Sequence, residues 1–322
     1  MQAFLQLIRL PNLIIIAFTQ YMIRFCLIQP ILSLSDFDLQ MKEWEFALLV
    51  LATVFVSAAG YIINDYFDVR IDTINKPDQQ VIDKGVKRRV AIIAHWILSA
   101  LGVLIGIYLS WKSNILLTGG TLFAAAVIVL WFYSTSFKYK FLTGNLVVSL
   151  LTGMVPFMVA LFEVPRLIAE YFPQLTRQIG MYGFATTTTI LLLSGAYGIF
   201  AFLLSLIREM IKDMEDVEGD KEYGCRTIPI VLGIKKAKLI LYGLIILTMV
   251  CVGFGQKYFH RQLQDKYSFL YFLVLVQIPL LILLFKVFRA QQKKQFHSSS
   301  MLVKFIMLTG ICFLFLFRYL VY

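Results

Sequence analysis

Nine apolar stretches, each close to the length that a helix needs to cross about 30 Å of hydrocarbon, recur along the chain of 322 residues. Hydrophobic residues make up 59% of the sequence and charged residues only 15%, which leaves more apolar surface than a soluble core can bury. The sequence therefore predicts an all-α, polytopic membrane protein with a single domain, residues 1–322. The predicted spans are about 12–32, 45–63, 90–110, 115–133, 145–163, 182–207, 237–254, 268–288 and 302–321.

Basic residues indicate which ends of these helices face the cytoplasm. Of the 30 Lys and Arg residues, 21 lie in one alternating set of connecting segments. By the positive-inside rule this set is cytoplasmic, so the N-terminus is inside and, after nine spans, the C-terminus is outside. The net charge of +11 then reflects topology and anionic headgroups, and nucleic acid is not expected as a partner. We expect an integral protein of a bacterial or archaeal inner membrane.

Carboxylates crowd together in only two segments, 64–89 after the second predicted span and 208–236 after the sixth, and both are predicted to be cytoplasmic. In the first segment, Asn64, Asp68 and Asp72 follow one another at intervals of four residues. If the helix continues past the membrane edge, these side chains lie on nearly one face, and Asp65 joins that face. The spacing predicts a polar ladder at the end of a membrane helix.

The second segment repeats this arrangement. On a continuous helix, Glu209, Asp213, Asp216 and Asp220 fall within about a sixth of a turn of one another. Corresponding residues of the two clusters are 148 or 149 positions apart, with four predicted spans between them. This agreement suggests an internal duplication of four helices, and it places both clusters at the same membrane face.

Four carboxylates on one helical face repel one another unless a cation lies between them. Mg²⁺ prefers carboxylate and amide oxygens, and it commonly bridges Asp residues to the phosphate oxygens of a substrate. The four cysteines are isolated and the three histidines are not at ligand spacing, so neither a zinc site nor a disulfide framework is indicated. The clusters predict a magnesium-bound diphosphate site, with a solvated polar loop as the alternative.

Polar residues in or near the spans have open interpretations. Arg24 lies about halfway along the first span, where an unpaired charge costs about 3 kcal/mol, so we expect it to face a polar interior or to reach the interface. A role in a substrate site is the alternative. Tyr133 and Asn145, at the cytoplasmic ends of the fourth and fifth spans, could line a pocket, although an interfacial aromatic belt also explains Tyr133.

Two stretches of sequence resemble a known family. The run NDYFDVRIDTINKP (64–77) resembles the first signature of the UbiA superfamily of intramembrane prenyltransferases, and REMIKDMEDVEGDKEYGCRTIPIVLG (208–233) resembles the second. The resemblance extends to Arg9 and Asn12, to residues 133–145 and to a nine-helix bundle, so it covers essentially the whole chain. Within the family, the second signature is most similar to the branch of the digeranylgeranylglyceryl phosphate synthases and next to the chlorophyll synthases.

The resemblance implies Mg²⁺-dependent transfer of a polyprenyl group from its diphosphate to a lipophilic acceptor. Geranylgeranyl is the first candidate for the group, and geranylgeranylglyceryl phosphate for the acceptor. By motif position, the ligands of two Mg²⁺ ions are Asn64, Asp68 and Asp72 for one and Asp213, Asp216 and Asp220 for the other. The implied contacts to the donor are Arg9, Asn12, Tyr133, Lys138, Asn145, Lys212 and Arg226. The catalytic candidates are Asp65, Asp68, Asp72, Asp216 and Asp220, and both Asp65 and Glu209 either support the metal ligands or act as bases.

One departure from the family pattern concerns the acceptor. After Pro77 many relatives continue with Arg-Pro and a Ser-Gly turn, whereas this chain reads DQQVIDKG (78–85). An aromatic quinone precursor and a chlorophyllide-like ring therefore stay open as acceptors. Activities of other classes are also alternatives: a diphosphatase or terpene cyclase, and a secondary transporter, although transporters place their key charges nearer the bilayer midplane.

Overall fold

The computed structural model describes residues 2–75, 80–171, 177–263 and 265–321. Nine helices in this part of the chain are long and apolar enough to cross a membrane, which confirms the predicted plan. We number them α1 to α9 in chain order: Leu10–Ser33, Glu43–Asn75, Arg88–Lys112, Leu116–Thr135, Thr143–Tyr171, Gly183–Glu215, Ile234–Arg261, Lys266–Arg289 and Lys293–Val321. Short helices outside these spans are Gln2–Leu7, the 3₁₀ turn Phe137–Tyr139, Val217–Glu222 and Ile228–Leu232.

The helix α2 is longer than the apolar stretch that predicted it. Glu43 and Glu45 lie in its first turn, where negative charge is favourable beside the free backbone N–H groups. At the other end the helix continues beyond the apolar stretch because Val69 still buries apolar surface in a cluster with Leu7 and Ile82. Ile82, in the chain after α2, thus packs in one cluster with the short helix Gln2–Leu7 and the end of α2.

One compact unit comprises residues 1–135 and 154–198. Within it α2 packs against α1, α3 and α4, and α3 also packs against α4. Glycine permits the closest of these contacts, since a Cβ at Gly106 of α3 would lie 2.3 Å from the ring of Phe123 in α4. The unit is therefore built around α2, the helix that carries the first acidic cluster.

The other compact unit comprises residues 136–153 and 199–322. Here α8 packs against α7 and α9. The end of α6 contributes Met210, Ile211 and Met214 to the core of this unit, so Glu209 and Asp213 lie on another side of the helix. One boundary between the units follows α4 and the other two fall within α5 and α6, so the units do not coincide with the predicted four-helix repeats. The internal duplication and the single domain stay predictions.

Candidate active site

The last turns of α2 carry the first predicted cluster. The helix is unbroken as far as Asn75, which confirms that Asn64, Asp68 and Asp72 lie on successive turns. All three side chains are partly buried. The Oδ1 atom of Asn64 is buried and has no hydrogen-bond partner among the described residues. This face of α2 therefore presents an amide oxygen and two carboxylates. Residues 76–79 of the predicted loop lie outside the described residues.

Arg9 pairs with Asp65, the fourth acidic or amide residue of the α2 cluster. The guanidinium Nη2 donates to Asp65 Oδ1 at 2.7 Å and lies 5.0 Å from the centre of the Tyr61 ring. Burial alone would lower the pKa of Arg9. The interactions with Asp65, Tyr61 and Tyr133 together raise this pKa by more than burial lowers it, so the net pKa is above its ordinary value. Arg9 thus stays charged and occupies one oxygen of Asp65.

The backbone at Arg9 is held in an unusual conformation. Its φ of 52° and ψ of 53° place it in the left-handed region, which costs a residue with a side chain about 1 kcal/mol or more. The residue separates the short helix Gln2–Leu7 from α1, and Pro11 in the first turn of α1 favours the start of the new helix. The left-handed turn at Arg9 places its guanidinium beside Asp65 of α2.

Asp213 is the best-defined member of the second cluster. Its Oδ2 atom accepts a hydrogen bond of 2.7 Å from Nδ2 of Asn145, at the start of α5. The same carboxylate interacts electrostatically with Glu209, Asp220 and Lys212. The hydrogen bond from Asn145 thus orients the carboxylate of Asp213. Asn145 was predicted to contact the substrate, and the structure gives it a direct contact with a predicted metal ligand.

The prediction of one continuous helix from Glu209 to Asp220 is wrong, although Asp213 interacts electrostatically with both Glu209 and Asp220. The helix that contains α6 ends at Glu215, Asp216 has φ −102° and ψ 9°, and a new helix begins at Val217. Glu218 and Asp220 in the first turn of the new helix favour its start, because negative charge is stabilised at a helix N-terminus. Asp216 therefore lies at a bend, and Asp220 belongs to the following helix.

The other predicted contacts occupy different positions. Asn12 is half-buried in the first turn of α1, and Tyr133 lies near Arg9 in the last turn of α4. The Lys138 ammonium lies 5.1 Å from the centre of the Tyr139 ring in the 3₁₀ turn. Arg226 is exposed, and its backbone N–H donates to the Tyr139 carbonyl at 2.8 Å.

The donor atoms at both clusters suit a hard divalent cation. Asn64 Oδ1 has no other partner among the described residues, and the neighbouring side chains offer carboxylate oxygens without thiolate or imidazole. In the described part of the chain, no three His, Cys, Asp or Glu side chains converge on one point as a complete metal site. Mg²⁺ keeps several waters and takes phosphate oxygens from a substrate, so an incomplete protein ligand set fits it.

The sequence matches a family model over most of its length. Residues 32–309 match the model of the UbiA prenyltransferase family. The chain belongs to the UbiA prenyltransferase family. A digeranylgeranylglyceryl phosphate synthase of Thermococcus gammatolerans is 30% identical over 270 residues, which cover 81% of this chain and 82% of that protein. With nine apolar helices among its described residues, this UbiA protein is an integral membrane protein.

Solved structures of UbiA proteins share the fold. A structure of digeranylgeranylglyceryl phosphate synthase in membranes matches with a TM-score of 0.58 and 23% identity, covering 97% of both chains. A UbiA homologue from Archaeoglobus fulgidus, bound to GPP and Mg²⁺, matches with a TM-score of 0.53 and 16% identity, covering 96% of this chain and 98% of that one. These matches confirm the predicted helical bundle.

A buried ionic network in this UbiA protein includes Arg24 and residues that sequence reasoning missed. Arg24 is 1% exposed, and its Nη1 donates to Glu163 Oε2 at 3.2 Å. Its Nη2 donates to the Met41 carbonyl and, at 3.2 Å, to Glu43. Arg24 therefore faces a polar interior, as one of the two interpretations predicted, and it lies among residues near the first turn of α2, whereas the acidic cluster lies in the last turns.

A second ion pair lies at the same end of α2. Arg166 of α5 pairs with Glu45, and its Nε donates to Ser113 Oγ at 2.8 Å. Glu45 and Glu163 lie at the edges of the predicted spans 45–63 and 145–163, and the rule that intramembrane charges need partners applies to them as well as to Arg24. That rule was the signal that could have found the network.

Proposed function

We propose that this chain transfers a geranylgeranyl group from its diphosphate to the free glycerol hydroxyl of geranylgeranylglyceryl phosphate. The observation that carries the proposal is the ladder of Asn64, Asp68 and Asp72 on the last turns of α2, which offers hard oxygen ligands at the end of a membrane helix. The names of the relatives support this choice of acceptor, and the Archaeoglobus fulgidus protein supports a prenyl diphosphate donor with Mg²⁺.

We assign the ligands of two Mg²⁺ ions by cluster. The assigned residues are Asn64, Asp68 and Asp72 for one ion, and Asp213, Asp216 and Asp220 for the other. Bound Mg²⁺ would neutralise charge that develops on a departing diphosphate. Asn145 orients Asp213 through its hydrogen bond, and Arg9 keeps Asp65 from competing for a cation.

Three basic side chains would contact the phosphate oxygens of the donor directly. We assign this role to Arg9, Lys138 and Lys212, with Asn12 and Tyr133 as neutral contacts. The allylic carbon–oxygen bond breaks, and its electron pair leaves with the diphosphate. The acceptor hydroxyl oxygen then bonds to the allylic carbon and gives up its proton to the released diphosphate. Water must be kept from the allylic cation, and the apolar helices favour this exclusion of water.

The charge distribution supports an orientation in which both acidic clusters face the cytoplasm. The segments 64–89 and 208–238, which include these connections and the helix ends beside them, contain six and seven of the chain's 30 Lys and Arg residues. We place the N-terminus on that side and the C-terminus on the other, in the membrane of a bacterial or archaeal cell.

The identity of the product tests the proposal. Purified protein is incubated in detergent with labelled geranylgeranyl diphosphate, geranylgeranylglyceryl phosphate and Mg²⁺. We expect the label in a phosphorylated diether lipid. Free geranylgeraniol would indicate a diphosphatase, a cyclic hydrocarbon would indicate a cyclase, and transfer to an aromatic acceptor alone would overturn the assignment of the acceptor. No turnover under any condition would favour transport.

A further inference from the structure

A cleft of about 400 Å³ lies in the unit formed by residues 136–153 and 199–322. Its lining residues are Tyr139, Lys140, Phe141, Arg226 and Val231. Two of these side chains are cationic, none is acidic, and the other three provide largely apolar walls. Such a site suits an amphiphile with a negatively charged head, because the two cations attract the head and the apolar walls can contact the apolar part beside it.

Backbone contacts build this cleft from two segments. The N–H of Arg226 donates to the Tyr139 carbonyl at 2.8 Å, which joins the chain after the second acidic cluster to the 3₁₀ turn. The N–H of Cys225 donates to the Asp220 carbonyl at 2.9 Å. These backbone bonds join the cleft to the helix that carries Asp220, one of the assigned metal ligands.

The two cations are placed for different contacts. The Lys140 ammonium lies 5.3 Å from the centre of the Phe137 ring, and this cation–π contact holds the ammonium beside the turn. Arg226 is exposed, and its planar guanidinium can donate two parallel hydrogen bonds to one phosphate group. A phosphomonoester with charge near −2 complements this pair.

We propose that the cleft binds the phosphomonoester head of the lipid acceptor, with Lys140 and Arg226 as the phosphate contacts. The proposal rests on the proposed function, since it identifies how that enzyme would recognise its acceptor. It moves Arg226 from the donor diphosphate, where the family resemblance placed it, to the acceptor. The apolar walls then contact the glycerol ether carbons.

Equilibrium binding tests the cleft without any need for turnover. Geranylgeranylglyceryl phosphate and its dephosphorylated alcohol are titrated, without donor, into the full-length protein in detergent. We expect the wild type to bind the phosphate form more tightly. Lys140→Gln and Arg226→Gln should each raise the Kd of the phosphate form about tenfold, because each removes one charge-assisted hydrogen bond. The ratio between the Kd of the alcohol and the Kd of the phosphate form should fall accordingly. The conservative Lys140→Arg should keep most of the affinity.

Lys236→Gln is the matched control, because Lys236 is an exposed lysine in the first turns of α7 and does not line the cleft. We expect its Kd for the phosphate form to equal that of the wild type. An unchanged Kd in Lys140→Gln and Arg226→Gln, or an equal loss in Lys236→Gln, would overturn the proposal.

Kinetics separate this proposal from the proposed function. Where transfer occurs, Lys140→Gln should raise the KM for the acceptor much more than the KM for geranylgeranyl diphosphate, and the reverse would return both cations to the donor site. Selective phosphate binding that depends on Lys140, without transfer in the wild type, would contradict the proposed function and leave the cleft established as a phospholipid-head site.

Discussion

At the scale of single residues, the contact between Asn145 and Asp213 links the start of α5 to the second acidic cluster. One amide hydrogen bond of 2.7 Å fixes one carboxylate oxygen, and the rotamer of Asp213 is thereby set before any cation binds. Groups that orient metal ligands in this way commonly change metal affinity 10- to 100-fold when they are removed.

Asn145→Ala should therefore raise the Mg²⁺ concentration for half-maximal turnover about tenfold, because Asp213 loses its orienting donor. The measurement is initial rate against Mg²⁺ concentration at saturating substrates. A variant that lowers the maximal rate at an unchanged Mg²⁺ requirement would contradict this role, since a general packing defect has that signature.

The Arg24–Glu163 pair gives a prediction about stability. Both side chains are 1% exposed, so removal of one partner leaves a buried charge with fewer contacts. Glu163→Leu should cost about 3 kcal/mol of stability, measured as a lower unfolding temperature in detergent. The double variant Arg24→Met with Glu163→Leu should be more stable than Glu163→Leu alone. A double variant that is less stable than the single one would show that Arg24 stabilises the fold through other partners.

At the scale of elements, the approach of α5 to the 3₁₀ turn depends on Gly144. A Cβ at this position would lie 2.8 Å from Lys138 Cα and 3.0 Å from the Phe137 carbonyl oxygen. Both are backbone atoms and cannot rotate away, so the turn that carries Lys138 and Lys140 must shift. The glycine thus sets the position of Lys138 and Lys140, the two cations to which we assign substrate contacts.

Gly144→Ala should lower the free energy of unfolding by about 1 to 3 kcal/mol and reduce kcat/KM for both substrates. The control is Gly243→Ala in α7, where a Cβ would meet nothing within 4 Å. That change should be neutral or raise stability by up to about 1 kcal/mol, since Ala is favoured over Gly within a helix. Equal stability of Gly144→Ala and wild type would show that the turn moves freely.

The same elements show what the sequence could and could not predict. The nine spans followed from apolar length alone, because lipid leaves the backbone few alternatives to a helix. The extension of α2 could be read from the four-residue spacing of Asn64, Asp68 and Asp72. The bend at Asp216 was missed, since the same spacing suits two consecutive helices as well as one continuous helix. The partners of Arg24 were also missed, because they are distant in sequence.

At the scale of the whole molecule, the basic connections predict which side each end of the helices faces. Single cysteines in a background without the four native cysteines test this with a membrane-impermeant thiol reagent. Lys84→Cys, between α2 and α3, should react only in inverted vesicles, and Asp38→Cys, between α1 and α2, only in intact cells. Both residues are exposed, so either label on the opposite side would reverse the orientation.

The central claim is that the two acidic clusters bind the Mg²⁺ on which prenyl transfer depends. The direct test is single-turnover transfer from labelled geranylgeranyl diphosphate by wild type, Asp68→Asn, Asp216→Asn and the exposed control Glu222→Gln, with Mg²⁺ or with chelator. We expect transfer only with Mg²⁺. The rate of transfer should fall at least about 100-fold in each aspartate variant and should be unchanged in Glu222→Gln. Full activity in either aspartate variant, at normal membrane insertion, would contradict the assignment.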